Sequence, residues 1–235
     1  MTARGTAFLA LWNDIERGRE AEYDRWHTRE HVPERVAAPG FRSGCRYVDR
    51  DHPVHRYFTL YELESLAALA TPEYRDLLQH PTPWSAAMRP SFRNFLRAPC
   101  TVAHRAGFGR GASLAVMRLP GQPADGEAKG VLASLAEAPG VVALRLGRHE
   151  AQEPAPAWAS SRAPDGPASF GSVLLIEALD RPSALRAFDA ALTAFLPHGA
   201  AEIGGVYDLA SIFPGEGARE RLAHRRPGWD LAGDA

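Results

Sequence analysis

Hydrophobic and polar positions alternate along the chain in a pattern that predicts the element order β-α-β-β-α-β. A period of two, typical of strands that bury one face, occurs in four segments, at residues 6–14, 41–49, 56–64 and 96–104. A period near 3.6 predicts helices at residues 20–31 and 65–78, and a further short helix within 84–95.

The second part of the chain repeats this order. Predicted strands lie at residues 112–119, 141–149, 170–179 and 202–213, and predicted helices at 126–137 and 183–196. Ala-Pro-Gly precedes a strand in both parts, at 38–40 and at 138–140. Such units form antiparallel sheets with helices on one face, and the other face needs a second sheet to cover it. We therefore expect an α+β fold in which two tandem βαββαβ units form a two-sheet barrel within one chain.

This repeat sets the expected domain limits. The first unit spans residues 1–106, the second spans 112–213, and a Gly-, Arg- and Pro-rich tail follows at 214–235. Residues 151–168 are rich in Pro, Ala and Ser and predict a loop inserted in the second unit. The Gly-rich stretch at 107–111 is a linker rather than a phosphate loop, because a strand and not a helix follows it.

Composition and charge narrow the class of protein. Of the 235 residues, 45% are hydrophobic and 23% charged, as in an ordinary globular protein. The formal charge of −1 argues against nucleic acid or an anionic membrane as the main partner. No stretch reaches the ~18 apolar residues of a membrane span, and no secretory signal is recognisable. Cys45 and Cys100 therefore predict buried thiols in a reducing cytoplasm.

The densest chemistry lies in residues 22–41, EYDRWHTREHVPERVAAPGF. On a helical wheel, one face carries Tyr23, Trp26, His27 and Glu30, with His31 at its margin. This aromatic face is expected to point at the sheet. A carboxylate on such a face is either paired with a donor or kept protonated by desolvation, and both conditions are typical of sites that handle protons.

Pro33 predicts that the helix ends near His31, which would place this histidine at the negative end of a helix dipole and favour its charged form. Two interpretations remain open: His31 caps the last carbonyls, or it faces a cavity as an acid or base. Residues 27–31 also match H-x-x-E-H, a zinc-protease pattern, with Glu73 as the candidate third ligand. Because Pro33 interrupts the helix, we expect no metal.

The stretch W-x-x-x-E-H-x-P-E-R-V-x-x-P-G-F at 26–41, with YELES at 61–65, PEYRDLL at 72–78 and PTPW at 81–84, resembles the dimeric α+β barrel superfamily. The nearest branch is bacterial, EthD-like and largely uncharacterised. The closer resemblance covers residues 6–100. It implies that each βαββαβ unit is ferredoxin-like and that a small-molecule pocket lies between helices and sheet. The superfamily includes cofactor-free monooxygenases, cyclases, isomerases and haem-dependent enzymes, so fold alone does not select a reaction.

Only the first unit carries candidate site residues. Alignment through Ala-Pro-Gly places Gly130 and Val131 opposite Glu30 and His31. On the strand at 56–64, Tyr61 is a candidate hydrogen-bond donor, but the sequence leaves open which strand face lines the pocket. We expect an enclosed, mostly aromatic pocket in the first unit and a filled space in the second.

The first functional hypothesis is an enzyme that needs no metal or cofactor and acts on a small hydrophobic, aromatic or polyketide-like molecule. Isomerisation, cyclisation, dehydration and cofactor-free oxygenation all suit this chemistry. The residues fall into two sets, a catalytic set of His31, Glu30 and Tyr61 and a substrate-binding set of Tyr23, Trp26, His27, Arg46 and Trp84.

The second hypothesis is a ligand-binding or structural protein without chemistry, in which Glu30 and His31 form a buried pair. A haem enzyme with His31 or His27 as axial ligand is a third. In each case we expect the two units to pair within one chain, and formation of a homodimer is left open.

Overall fold

The computed structural model describes residues 5–150, 170–196 and 204–218. Its strands are β1 (Ala7–Ile15), β2 (Phe41–Val48), β3 (Tyr57–Leu63), β4 (Phe92–Gly107), β5 (Ser113–Leu119), β6 (Val141–His149), β7 (Ser172–Ala178) and β8 (Gly204–Pro214). Its α-helices are α1 (Glu20–Trp26), α2 (Val32–Val36), α3 (Pro72–Gln79), α4 (Pro83–Met88), α5 (Asp125–Ala136) and α6 (Arg181–Phe195). A π-helical turn (His27–His31) joins α1 to α2, and 3₁₀ turns occur at Leu66–Ala70 and Arg89–Ser91.

The strands close into an antiparallel barrel in the order β1-β3-β2-β8-β5-β7-β6-β4. We call β1–β4 with their helices the first half, and β5–β8 with theirs the second half. Within the halves the orders are β4-β1-β3-β2 and β8-β5-β7-β6, so corresponding strands occupy corresponding places. The halves meet at the pairs β2–β8 and β4–β6. The prediction of an α+β fold with an antiparallel barrel is confirmed, and the strands form one closed barrel.

Alternate residues of each strand face the barrel interior or the helices, as the pleat requires. On β1, Trp12 lies in the barrel core, whereas Leu9 packs under the helices. On β3, Phe58 and Leu60 point into the barrel, and Tyr61 packs under the helices. The sequence left open which face of this strand lies under the helices. It is the face that carries Tyr61.

Helices α1 to α4 pack on the first half of the barrel, and α5 and α6 pack on the second half. The buried residues under α5 and α6 are all alanine, valine, leucine, isoleucine or methionine. Under α1 and α4 the core is aromatic and includes Tyr23, Trp26, Tyr57, Phe92 and Phe95. The two halves thus share a strand order but differ in the chemistry beneath their helices.

The repeated Ala-Pro-Gly forms the same turn in both halves. Gly40 has φ +82° and Gly140 has φ +86°, a region that favours glycine because it has no Cβ. Each glycine also lies against the helical turn that follows the third strand of its half, where a Cβ would collide with Ala68 or Ser183. The Ala-Pro-Gly turn therefore places the start of the second strand of each half next to the helical turn that follows the third strand.

A charged network crosses between the halves at one end of the barrel. Glu62 on β3 and Glu177 on β7 share Arg145, and both also contact Arg110 from the linker. Arg110 Nη1 lies 2.6 Å from Glu177 Oε1, and the Tyr47 hydroxyl donates to the same carboxylate at 3.2 Å. Glu177 is 1% exposed, so each of these donors offsets the cost of burying its charge.

Several predicted boundaries differ from the structure. The segment expected to be helical to residue 95 ends at the turn that contains Pro90, which lacks an N–H, and β4 already begins at Phe92. Strand β8 runs to Pro214, and Ala218 is buried. The predicted loop at 151–168 and residues beyond 218 lie outside the described residues. No described helix is both long and apolar enough to cross a membrane.

Candidate active site

The prediction that Pro33 ends the helix near His31 is wrong. The chain passes from α1 through one π-helical turn directly into α2. The N–H of Val32 donates to the carbonyl of His27, five residues earlier, and the wider turn accommodates the Pro33 ring, which clashes in a regular α-helix. Pro33 is then the second residue of α2, directly after the π turn. Single π turns of this kind are frequent at functional sites.

The inward face predicted from helical periodicity is confirmed. Tyr23, Trp26, His27 and Glu30 are each at most 3% exposed. The imidazole rings of His27 and His31 stack with centroids 5.0 Å apart, and the Trp26 ring lies 4.4 Å from that of His31. The π turn therefore presents two adjacent imidazoles, held by an aromatic neighbour, towards the sheet.

A cavity of about 40 Å³ lies between this turn and the sheet. Its lining comes from β1, β3, β4, the π turn, α2 and α3, and consists of Leu9, Leu11, Asn13, His27, His31, Arg35, Thr59, Tyr61, Tyr74, Leu78, Phe92, Phe95 and Arg97. Leu11, His31, Leu78 and Arg97 are only partly buried, so they mark the side on which the cavity meets solvent. The volume suits roughly one to three water molecules. Organic ligands usually occupy about 300 Å³ or more, so only the reacting part of such a ligand fits without side-chain movement.

Three buried polar atoms of the lining residues lack a hydrogen-bond partner among the described residues. They are Nδ1 of His27, Nδ1 of His31 and the hydroxyl oxygen of Tyr61. Most buried polar groups in proteins are paired, and leaving one unpaired costs about 1–3 kcal/mol. All three line one cavity, where water or a polar group of a bound molecule can pair with them.

Burial lowers the pKa of His27 and His31 well below the ordinary value of 6.5, and nearby Arg46 and Arg35 lower both further by repulsion. The expectation that a helix end keeps His31 charged is wrong, because the helix continues past it. Both imidazoles are therefore neutral at pH 7 and can accept a proton. Burial also raises the pKa of Tyr61, so its hydroxyl remains a hydrogen-bond donor.

Glu30 lies beside the site but does not line the cavity. Its Oε1 accepts hydrogen bonds from the Trp26 indole N–H at 3.1 Å, the Ser85 hydroxyl at 2.9 Å and the Thr82 hydroxyl at 2.5 Å. Of the two states considered for this carboxylate, the structure shows the one paired with donors. Because Thr82 also caps α4, Glu30 fastens α4 to the π turn and fixes the Trp26 ring against His31.

Four further residues expected at the pocket lie outside its lining. One is Trp26, whose indole N–H donates to Glu30. Arg46 is engaged with Asp24 at 2.8 Å and lies over the Tyr23 ring. The Tyr23 hydroxyl donates to Asn13 at 3.1 Å, behind the cavity wall. Trp84 donates its indole N–H to a glutamate of α1 at 3.2 Å and does not cover the cavity.

The polar lining residues that sequence reasoning missed are Asn13, Arg35, Thr59, Tyr74 and Arg97. Arg35 was missed because the helix was expected to stop before it. Arg97 lies between two apolar residues of a strand, Leu96 and Ala98, and this alternation was the available sign that it shares a face with the pocket.

The second half offers no counterpart among the described residues. The buried residues between α5, α6 and the sheet are aliphatic, and the partly buried Phe188 and Phe195 pack against them. Val131 is partly buried in that core, and Gly130 has open space around it. The histidines and the tyrosine of the first half are therefore not required by the shared fold.

No three His, Cys, Asp or Glu side chains of the described chain segments form a group that could hold a metal ion, and Glu73 does not line the cavity. A haem macrocycle with its iron at His27 or His31 would, like other organic ligands, require the side chains around the about 40 Å³ cavity to move.

No protein-family model and no curated protein matches the sequence. Among solved structures, an anthrone oxidase-like protein superposes with a TM-score of 0.60 at 13% identity, over 91% of this chain and 94% of that one. A candidate monooxygenase from Fusobacterium nucleatum subsp. nucleatum gives 0.54 at 13% identity, over 91% and 96%. A chlorite dismutase from Candidatus Nitrospira defluvii gives 0.50 at 8%, over 94% and 97%. At 13% identity or less, these similarities show that the chain shares the fold of these structures.

Proposed function

We propose that the protein is a small-molecule enzyme that removes a proton from a weakly acidic hydrophobic substrate without a metal. The observation that carries this proposal is the set of three unpaired buried polar atoms, on His27, His31 and Tyr61, around one cavity. These three atoms leave hydrogen-bonding positions that a substrate can occupy. The stacked, neutral imidazoles supply a base, and the hydroxyl supplies a donor for the charge that develops.

The roles follow from position. His31 is partly exposed at the open side of the cavity, so we assign it as the base that meets the substrate. His27 stacks behind it and keeps it oriented. Tyr61 donates to the oxygen of the resulting enolate or phenolate, and the buried Arg35 guanidinium balances its charge. Since a low pKa makes His31 a weak base, the substrate must be acidic, as a carbon flanked by a carbonyl and an aromatic ring is.

Isomerisation, cyclisation, dehydration and cofactor-free oxygenation all begin with such a proton transfer. The names of two fold neighbours, anthrone oxidase-like and candidate monooxygenase, support oxygenation as the first reaction to test. Anthrone is a suitable probe, because its oxidation is balanced as anthrone plus O₂ giving anthraquinone plus water.

We also propose that the chain is a fusion of two ferredoxin-like units near the EthD-like branch, in which only the first keeps a site. The shared strand order, the paired Gly40 and Gly140 turns, and the matched Glu62 and Glu177 support this reading. A cytoplasmic location is proposed from Cys45 and Cys100, which are buried, unpaired thiols.

Proton removal is tested by the exchange of the acidic anthrone hydrogens in D₂O without oxygen, followed by NMR, and O₂ uptake is measured separately. We expect the wild type to accelerate exchange and His31→Gln to lower that acceleration about 100-fold, the usual contribution of a positioned base. Tyr61→Phe should lower it about as much, by loss of the oxyanion donor. His80→Gln, at an exposed position on the α3 side, is the control and should match the wild type. Equal rates in all four proteins would overturn the proposal.

A further inference from the structure

The cavity carries an arginine without a partner. Arg97 lies on β4 opposite Leu11 of β1, is partly buried, and lines the cavity. Among the described residues its guanidinium makes no hydrogen bond and no ion pair, in contrast to Arg46, which pairs with Asp24. None of its nitrogens is among the buried unpaired polar atoms of the described residues, so the guanidinium remains accessible at the open side of the cavity.

The other arginine that lines the cavity differs from Arg97 in having an ion-pair partner. Arg35 is buried on another wall, with Glu34 as an ion-pair partner 3.5 Å away. No aspartate or glutamate lines the cavity. The charged groups that face the two imidazoles are arginines, namely Arg35, Arg46 and, for His31, Arg89, and each lowers the imidazole pKa. Since Arg35 and Arg46 are paired with Glu34 and Asp24, Arg97 is the lining cation that has no anion among the described residues.

We propose that the substrate of this cavity is an organic carboxylate, whose carboxylate group pairs with Arg97. A guanidinium presents parallel N–H donors that match the two oxygens of a carboxylate. At the open side of the cavity, Arg97 would hold this group while the acidic carbon reaches His31. That the bound carboxylate is a substrate rests on the proposed function, whereas anion binding at Arg97 is tested independently of that function. Anthrone, which has no carboxylate, is accordingly a weakly bound probe.

The test compares 1-naphthoate with its neutral isostere 1-naphthamide by isothermal titration calorimetry on the full chain. We expect the wild type to bind 1-naphthoate at least 10-fold more tightly than 1-naphthamide. Arg97→Gln should abolish this preference, and Arg97→Lys should restore part of it. Arg29→Gln removes one positive charge from an exposed position of the π turn and should leave the preference unchanged. Circular dichroism confirms that each variant is folded.

Three outcomes would overturn the anion site: equal affinities for the two compounds, no binding of either, or equal losses in Arg97→Gln and Arg29→Gln. The last would indicate a general charge effect. Anion preference without proton exchange would retain this site and reject the acid–base function. Proton exchange without anion preference would retain the function and reject this site.

Discussion

Glu30 looks catalytic in the sequence, but in the structure it links α4 to the π turn by hydrogen bonds. All three of its donors, on Trp26, Thr82 and Ser85, converge on one carboxylate oxygen. It therefore joins elements that are more than 50 residues apart in the chain. We assign it as a positioning residue for the imidazoles rather than as a group that touches the substrate.

Replacement of Glu30 by glutamine should destabilise the protein by about 1–3 kcal/mol. Glutamine places an N–H₂ group among three donors, and a buried hydrogen-bond network that is only partly satisfied is unfavourable. Urea unfolding measures the change. Glu22→Gln is the control, because Glu22 is 38% exposed in its ion pair and should contribute less than about 1 kcal/mol. Equal losses in the two variants would contradict the role given to Glu30.

The buried histidines should make stability fall in mild acid. In the unfolded chain each titrates near pH 6.5, whereas in the folded protein the pKa of His27 and His31 is well below this value. Below pH 6.5 the unfolded state therefore binds more protons, and stability falls by up to about 1.4 kcal/mol per pH unit for each histidine until its folded pKa is reached. Burial also lowers the pKa of His55, to about 4, which adds to the loss between pH 6.5 and 4.

Urea unfolding at pH 7, 6 and 5 checks this slope. His27→Gln and His31→Gln should each reduce the slope of stability against pH by up to about 1.4 kcal/mol per pH unit, the contribution of one proton. His80→Gln, at an exposed position, should leave the slope unchanged. Slopes that do not differ between the variants and the wild type would show that these imidazoles titrate normally in the folded state.

At the scale of elements, the position of α2 depends on a close approach to β2. A Cβ on Gly44 would lie 2.7 Å from Val32 Cγ1 and 3.0 Å from both Val36 Cγ1 and the Tyr61 ring. Real side chains avoid distances this short, so a larger residue here must push α2 outwards or displace Tyr61 from the cavity wall. The tight packing of α2 on the sheet therefore also sets the geometry of the site.

Gly44→Ala should lower the free energy of unfolding by about 1–3 kcal/mol and reduce proton exchange on anthrone, since Tyr61 lines the cavity. The matched control is Gly130→Ala on α5, where no atom lies within 4 Å of the added Cβ. That change should stabilise the protein by about 0.5–1 kcal/mol through helix propensity. Thermal unfolding measures the change in stability, and the exchange assay measures the change in activity. The stability changes of Gly44→Ala and Gly130→Ala must have opposite signs.

Sequence periodicity was sufficient for the elements and for the helix face, because both depend on local spacing. Tyr23 and Trp26 are buried as the helical wheel predicts. Pro33 was misread because a π turn depends on a single hydrogen bond that no local pattern encodes. Arg46 and Arg97 could not be distinguished, since both are strand arginines and only the arrangement of distant elements gives one a partner and leaves the other facing a cavity.

At the scale of the whole molecule, neither half can bury its own barrel face. Phe8, Trp12 and Phe58 of the first half share one core with Val116 and Leu175 of the second. The network around Glu177 and the pairs β2–β8 and β4–β6 join the same halves at their edges. Since the site lies on the outer surface of the first-half sheet, its geometry depends on a second half that contributes no lining residue.

This dependence predicts that the chain unfolds as one unit. Leu132→Ala removes a buried side chain beneath α5, far from the cavity, and should lower stability by about 2–5 kcal/mol. If unfolding is cooperative, hydrogen exchange in moderate urea should accelerate by the same factor in peptides from β1 and from β5, since both exchange only through global opening. Acceleration confined to β5 would show instead that the halves unfold separately and that the first half can hold its site alone.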